Sequence, residues 1–477
     1  MAFIQYKAFR FFRGAFLFVL LSALADQHLI GQELPKADVN ASAPSLYDTD
    51  ILPKEFHSGR RDALRKLMGD STVAVFFAST TKNRSNDVNY EFHQDPNFYY
   101  LTGLKEPEAM ILIFKNEVQF EGFSTNEIIF LKDHDQTSER WTGKLLGVEG
   151  AKSMLGIQNA FSNESFSEYK IDFSKFKNVY FFEQKKENES ELQKQFVKKQ
   201  SANTDNYNIN EMLAKLREIK TKEELDLMRK AINITCDAIS EAIKALEPSM
   251  NEFSVEAVVE YVFKSKGAEH EGYPSIVGGG ENSCILHYET NRKKLISKDM
   301  LVCDVGAEYH GYTADITRTI PVSGKFSETQ RAIYNIVLEA QSAGIDACQP
   351  GADFRAPHKV ATAIIQKRLL ELGVIKLPNE VGKYFFHGTS HYLGLDVHDA
   401  GTFGKLKPNS VITVEPGIYI PLGSDCDEKW WGIGIRIEDD VLITEAQPEV
   451  LSACVPKTIE EIETLMKKES LFNLMKK

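Results

Sequence analysis

The sequence predicts a mixed α/β protein with more than one domain. The chain has 477 residues, and a domain averages roughly 150 residues, so two or three domains are expected. From residue 51 onward, short β-branched and aromatic runs alternate with helical patterns. With 43% hydrophobic and 26% charged residues, the composition excludes a wholly disordered, collagenous or polytopic membrane protein.

Residues 51–205 are predicted to form the first folded domain. Segments 60–68 and 138–155 have helix-like composition, and the polar stretch 184–210 is interpreted as a surface helix or a connection between domains. Four runs have the length and composition of strands. They are Thr72–Phe77, Met110–Phe114, Glu127–Leu131 and Val179–Phe182.

Residues 206–470 are predicted to form a second domain. Its first segment, 211–246, has apolar residues at helical spacing, and Pro248 ends that pattern. Helical stretches, strand-like runs and Gly-rich turns continue to about Met466.

The N-terminus has the pattern of a secretory signal. Three basic residues precede a short apolar run, residues 14–25, which ends in Ala23-Leu24-Ala25. We predict a signal peptide over 1–25, a linker over 26–50, no stable membrane anchor, and a periplasmic or secreted mature protein. An uncleaved anchor or a buried N-terminal helix is the alternative.

The net charge and the cysteine pattern argue against nucleic-acid binding and against a zinc-ribbon or disulfide-rich domain. The net charge of −12 makes nucleic acid a poor partner. The six cysteines are scattered without a CxxC pair, which indicates neither a zinc ribbon nor a dense disulfide framework. Most are interpreted as small buried residues, although export would permit disulfides.

Segment 299–321 carries two aspartates in a predicted hairpin. If the turn is centred on Tyr309 and His310, then Asp304 and Asp315 lie opposite each other. Two facing carboxylates need a cation between them, and a metal ion would serve. The alternative is one aspartate that caps a turn and one that pairs with an arginine.

Two further segments carry possible metal ligands. Segment 386–401 holds His387, His391 and His398, while Glu415 and Glu438 each end an apolar strand-like run. Any of these residues alone could be structural. Together, four carboxylates and one or two imidazoles suit divalent ions such as Mn²⁺, and could hold two of them.

These motifs, in this order, resemble the aminopeptidase P family of pita-bread metallopeptidases. The C-terminal matches include segments 276–288 and 311–319, the histidine segment, and segments 414–417 and 432–440. Segments 95–103 and 106–109 resemble the family's N-terminal domain. The resemblance implies an N-terminal mixed α/β domain followed by a C-terminal pita-bread catalytic domain.

The resemblance also implies roles for individual residues. Glu415 would be general base and then acid, and His287 and His398 would flank the scissile bond. His387 would line a proline pocket, Arg436 and Tyr419 would support the site, and Tyr99 would contact the first substrate residue. The implied metal ligands are Asp304, Asp315, His391, Glu415 and Glu438.

The implied activity is release of the first residue from peptides whose second residue is proline. Two divalent ions, most simply Mn²⁺, would be the cofactors, and self-association as a dimer or tetramer is expected. A dipeptidase of the prolidase type is the nearest alternative. A metal-free creatinase-like hydrolase, or a non-catalytic protein of the same fold, is a more distant one.

Overall fold

The computed structural model describes residues 49–182, 189–200 and 206–474. The predicted signal peptide and almost all of the predicted linker lie outside these residues, as does the predicted domain boundary at 205. Across the described ranges, none of the helices combines the length and the apolar character that a bilayer crossing requires.

A five-stranded mixed sheet organises the N-terminal part of the chain, with strand order β6-β5-β4-β1-β7. The elements are α1 (Lys54–Leu67), β1 (Thr72–Phe77), β2 (Asn83–Ser85), β3 (Val88–Asn89), α2 (Pro96–Thr102), β4 (Met110–Phe120), β5 (Phe123–Leu131), α3 (Gln136–Thr142), α4 (Gly147–Met154), β6 (Ala160–Ser162), β7 (Asn178–Phe181) and α5 (Glu191–Lys199).

Strand β1, which lies between β4 and β7, is buried on both faces. Val73 and Val75 face one apolar cluster, while Ala74 and Phe76 face the other. This alternation explains why the run is apolar throughout its length. Helix α5 covers one face of the sheet with Leu192 and Phe196, so the predicted surface helix contributes to the core.

Several small antiparallel sheets and long helices form the C-terminal part. The elements are α6 (Asn206–Arg217), α7 (Lys222–Ala245), α8 (Glu252–Ser265), β8 (His270–Glu271), β9 (Ile276–Gly279), β10 (Met300–Val305), β11 (Ala307–Tyr309), β12 (Tyr312–Thr313), β13 (Ile316–Pro321), α9 (Glu328–Asp346), α10 (Ala356–Glu371), β14 (Val411–Val414), β15 (Gly417–Ile420), β16 (Ile433–Arg436), β17 (Asp439–Leu442), β18 (Glu449–Val450), α11 (Ile459–Leu465) and α12 (Leu471–Leu474).

The helix predicted over 211–246 is two helices, α6 and α7. Thr221 accepts a hydrogen bond from the backbone N–H of Glu224, and the Glu224 carboxylate accepts one from the N–H of Thr221. This capping box starts a new helix, because it satisfies the N–H groups that a helix start leaves unpaired.

The sheets of the C-terminal part place the predicted ligands at strand ends. Strand β10 lies between β9 and β13 and carries Asp304 near its end. Asp315 immediately precedes β13, and Glu415 lies between β14 and β15. Glu438 lies between β16 and β17. Each of these four acids therefore lies at the end of a strand or directly beside one.

A disulfide joins two distant parts of the chain. Cys236 on α7 bonds Cys454, which follows β18. Cys303 and Cys348 are buried free cysteines, whereas Cys284 and Cys426 are partly exposed. The prediction that most of the six cysteines are small buried residues therefore holds for two free thiols, and not for the set as a whole.

Candidate active site

One cavity of about 420 Å³ collects nearly all the residues that the sequence singled out. Its walls come from β10, the start of β13, the segment before β14, and the loops around β15 and β16. The predicted residues that line it are Asp304, Asp315, His391, Glu415, Glu438, His287, His387, His398 and Arg436.

The hairpin that carries Asp304 has a different register from the predicted one. Tyr309 pairs with Tyr312, so the two-residue turn is His310-Gly311, and Asp304 lies opposite Thr317. Both turn residues have positive φ, 50° at His310 and 85° at Gly311. Such a turn matches the twist of the strands, and glycine adopts that backbone conformation readily. The predicted pairing with Asp315 is therefore wrong.

Tyr273 nevertheless brings the two aspartates together. Its hydroxyl lies 2.6 Å from a carboxylate oxygen of Asp304 and 2.6 Å from one of Asp315. A hydroxyl has one proton for these two acceptors. Tyr273 was not among the predicted site residues, because a single tyrosine beside Pro274 carries no sequence signal of the side chains that it contacts.

Among the residues that the structure describes, Asp315, His391 and Glu438 form a group of three possible metal ligands. One atom from each lies within 4.8 Å of the others. Nδ1 of His391 donates to the Tyr392 carbonyl (3.0 Å), and Nε2 faces the carboxylates, 3.3 Å from Asp315 and 3.9 Å from Glu415. The ring is thus oriented as a ligand, with its second nitrogen already bonded.

Neighbouring side chains hold the other carboxylates in place. Thr317 donates its hydroxyl to Glu438 (2.6 Å). Arg436 donates from Nε to Asp304 (3.1 Å) and from its NH1 group to the Tyr419 hydroxyl (3.0 Å). Asp304 is thus bonded on one oxygen by Arg436 and on the other by Tyr273.

His387 lies at the end of the same chain of contacts. Its Nδ1 donates to the Gly388 carbonyl (2.7 Å), so Nε2 accepts from the Tyr419 hydroxyl (2.9 Å). Burial lowers the pKa of His387 to about 4, which keeps the ring neutral. Arg436 is part of the cavity wall, and the Tyr419 hydroxyl links it to His387.

Burial of several acids together shifts their ionisation. Burial raises the pKa of Glu415 to about 8, against the charges of His391 and Arg436. Burial and the neighbouring carboxylates raise the pKa of Glu438 well above its usual range. Although burial opposes charge on His391, its contacts with Asp315 and Glu415 raise its pKa to about 9.

His287 and His398 are exposed side chains on the cavity wall. The His398 ring lies edge-on to His391, with 4.3 Å between centroids. The segment that carries His287 is fastened by Glu252, a fully buried carboxylate that accepts from Gly279 N–H (2.7 Å) and Tyr288 OH (2.9 Å).

Tyr99 does not join this cavity. It is 5% exposed on α2 and its ring packs against His57, with 5.7 Å between centroids. It lines a different cavity of about 210 Å³ together with Leu395 and Gly311. Helix α2 turns this side chain into the core, so within one chain Tyr99 has no contact with the cavity of the other predicted residues.

The donor set fits divalent metal ions. Carboxylate oxygens and one imidazole nitrogen are ligands that hard and borderline divalent ions accept. Close burial of like-charged groups is costly without a cation, and the raised pKa values of Glu415 and Glu438 reflect that cost. The predicted set Asp304, Asp315, His391, Glu415 and Glu438 is where such ions would be held.

Comparison with known proteins places this site in a family. Residues 57–180 match the model of the aminopeptidase P N-terminal domain, and residues 226–445 match that of metallopeptidase family M24. The chain is 37% identical over 428 residues to a Xaa-Pro aminopeptidase of Haemophilus influenzae, covering 87% of this chain and 98% of the relative.

Two solved structures have the same architecture. Pseudomonas aeruginosa aminopeptidase PepP matches with a TM-score of 0.81 and 32% identity, and Escherichia coli aminopeptidase P, with the inhibitor Pro-Leu, matches at 0.80 and 34%. Each match covers 87% of this chain and 98% of the solved chain. The fold is thus an N-terminal domain followed by a pita-bread domain, and the chain belongs to metallopeptidase family M24, in its aminopeptidase P group.

Proposed function

We propose that this protein is a metal-dependent Xaa-Pro aminopeptidase. It releases the first residue from peptides whose second residue is proline. The observation that carries the proposal is the single cavity in which five ligand-type side chains meet three histidines. Its relatives named Xaa-Pro aminopeptidase favour this activity over that of a prolidase.

We propose a hydrolytic sequence for these residues, with the roles that the family resemblance implies. A water oxygen attacks the carbonyl carbon of the first residue, and the bond from that carbon to the proline nitrogen breaks. Glu415 takes a proton from the water and passes it to the leaving nitrogen. Asp304, Asp315, His391, Glu415 and Glu438 would hold the divalent ions, which would supply a lowered pKa of water and a polarised carbonyl. His287 and His398, on the wall beside the ligands, bind substrate and stabilise the developing oxyanion.

A dedicated enzyme for this bond has a physical reason. A peptide bond to proline carries no N–H, and the proline ring restricts φ. Peptidases that recognise an extended backbone through its N–H groups therefore handle it poorly. A shaped cavity with His387 on its wall would hold the ring instead.

We propose Mn²⁺ as the metal and a homo-oligomer as the assembly. The ligand set, rich in oxygen with one nitrogen, supports Mn²⁺ over structural zinc, which takes more sulfur and nitrogen. Self-association remains an expectation from the family resemblance.

The test is a peptide series assayed with Mn²⁺ and with excess chelator. We expect cleavage of Ala-Pro-Ala, no cleavage of Ala-Ala-Ala, and loss of activity in chelator that added Mn²⁺ reverses. Preference for the dipeptide Ala-Pro over the tripeptide would indicate a prolidase. Full turnover in excess chelator would reject metal dependence.

We propose export with cleavage of the first 25 residues. The basic and apolar N-terminal pattern supports this, and the Cys236–Cys454 disulfide suits an oxidising compartment. N-terminal sequencing of the protein from its native compartment is expected to begin near Asp26; a start at Met1 would contradict cleavage.

A further inference from the structure

The segment that carries His398 has no regular structure of its own. Residues 393–400, here called the His398 loop, form neither helix nor strand. The His398 side chain is exposed on the cavity wall. Since its position depends on the loop, the contacts that hold the loop decide where this imidazole lies.

Arg217, at the end of α6, binds both sides of this loop. One terminal nitrogen of its guanidinium donates to Asp396 (2.7 Å) and also to Asp399. Asp396 lies two residues before His398, and Asp399 lies one residue after it. The Arg217 side chain is 3% exposed and that of Asp399 is 1% exposed, so solvent screens this contact little.

Further contacts close the loop around Asp399. Lys220 donates to its second oxygen (3.0 Å), and the N–H of Ala400 donates to the first (2.9 Å). A Cβ atom on Gly394 would lie 2.2 Å from the same carboxylate. The His398 loop therefore packs closely around the buried Asp399 carboxylate. A shift of that carboxylate must also move the loop residues next to it.

Arg217 also reaches the N-terminal domain. Its other terminal nitrogen donates to the side-chain oxygen of Asn97 on α2 (2.8 Å). One buried guanidinium thus contacts α2 and both carboxylates that flank His398. A fork of this kind requires the planar geometry of arginine, which lysine lacks.

We infer that Arg217 is a positioning residue that sets His398 against the substrate and links its placement to helix α2. The inference rests on the proposed peptidase function, because it concerns how well the scissile bond is held. Arg217 touches no reacting atom, and it acts through the two loop carboxylates.

A double-mutant cycle tests the inference. Arg217→Lys keeps the positive charge but contacts fewer acceptors, so kcat/KM for Ala-Pro-Ala should fall by about 10- to 100-fold, as small misplacements of binding groups do. In a protein that already carries His398→Ala, Arg217→Lys should lower kcat/KM by less than about twofold, because the two residues act as a unit. Metal content should match wild type in all four proteins.

Arg61→Lys is the matched control. Arg61 is also a buried arginine, 1% exposed, and it pairs with Glu127 in the N-terminal domain. Arg61→Lys should lower the melting temperature, as Arg217→Lys does. It should leave kcat/KM of the folded enzyme at the wild-type value. The inference would be overturned if Arg217→Lys lowered kcat/KM equally with His398 present and with His398→Ala. Wild-type activity of Arg217→Lys would overturn it as well.

A readout without turnover separates this inference from the proposed function. Wild-type cleavage of Ala-Pro-Ala tests the function alone. The rate at which individual histidines are carbethoxylated, measured by peptide mass analysis, reports the position of the His398 loop whether or not the enzyme cleaves Ala-Pro-Ala. Arg217→Lys should change the modification rate of His398 at least about twofold, while the rate of His287 stays constant as internal reference. An unchanged His398 rate would refute positioning by Arg217.

Discussion

Glu415 faces two histidines and shares their cavity. Its oxygens lie 3.5 Å from Nδ1 of His387 and 3.9 Å from Nε2 of His391. Glu415→Gln keeps the shape of the side chain but cannot carry a proton from water to the leaving nitrogen. We expect kcat to fall at least about 10²-fold, measured on Ala-Pro-Ala beside the metal content.

Glu289→Gln is the control for this prediction, because Glu289 is an exposed acid on the same cavity wall. It should leave kcat within the range of wild type. Near-native turnover of Glu415→Gln with metal bound would show that another group moves the proton.

Tyr273 orients two predicted ligands with one hydroxyl. Removal of that hydroxyl in Tyr273→Phe should weaken Mn²⁺ binding by about 10- to 100-fold, as loss of a group behind the ligands does. Titration calorimetry measures the change. Tyr334→Phe, which removes a buried hydroxyl bonded to the Lys457 carbonyl, should keep wild-type affinity. Equal affinities in all three proteins would mean that Tyr273 does not orient the ligands.

Individual residues were predictable where their chemical type carried the signal. Acids at the ends of apolar strands and clustered histidines led to Asp304, Glu438 and His391, and these do share a cavity. Tyr273 and Thr317 stayed hidden because a hydroxyl shows its function only through a partner distant in sequence. Within one chain Tyr99 lines a different cavity, and residue type does not reveal which way a short helix faces.

The junction of α1 and α2 contains a buried histidine that should make stability depend on pH. Burial lowers the pKa of His57 from 6.5 to about 4, and its Nδ1 lies 3.0 Å from the Tyr100 carbonyl. Between these values the unfolded chain binds a proton that the folded chain does not. The free energy of unfolding therefore falls as pH decreases, by about 3 kcal/mol over this window.

Urea unfolding at pH 6.5 and at pH 4.5 checks this prediction. His57→Gln should lose less stability than wild type across the window, since glutamine does not titrate. His134→Gln replaces a half-exposed histidine of the same domain and should follow wild type. Parallel pH profiles for wild type and His57→Gln would contradict the assignment.

Elements were predictable where apolar periodicity was strong, and their boundaries were not. The run Thr72–Phe77 is strand β1 as predicted. Segment 138–155, expected to be helical, is divided into α3 and α4 between Gly143 and Gly147, which have φ of 89° and 65°. The separation of α6 and α7 has a local cause as well, the capping box of Thr221 and Glu224. Apolar periodicity alone does not contain these start and stop signals, so it joined the separate helices into one.

At the scale of the whole molecule, one disulfide should contribute to stability. Cys236 and Cys454 are 218 residues apart, and a cross-link over such a loop restricts the unfolded chain. Cys454→Ser should lower the free energy of unfolding by about 2–4 kcal/mol. Thermal melts with and without reductant measure the effect.

Reductant should lower the melting temperature of wild type and of Cys426→Ser, a control at a free cysteine. It should have no further effect on Cys454→Ser. Two free thiols at Cys236 and Cys454 in the oxidised protein would contradict the bond.

The Cys236–Cys454 bond closes a covalent loop of the chain that contains the predicted metal ligands. Every predicted metal ligand, from Asp304 to Glu438, lies between the two bonded cysteines. A protease that nicks the backbone once anywhere in this interval would leave both fragments tethered, and they would separate only on a reducing gel. The segments that carry the ligands would thus stay within one covalent molecule after such a cut.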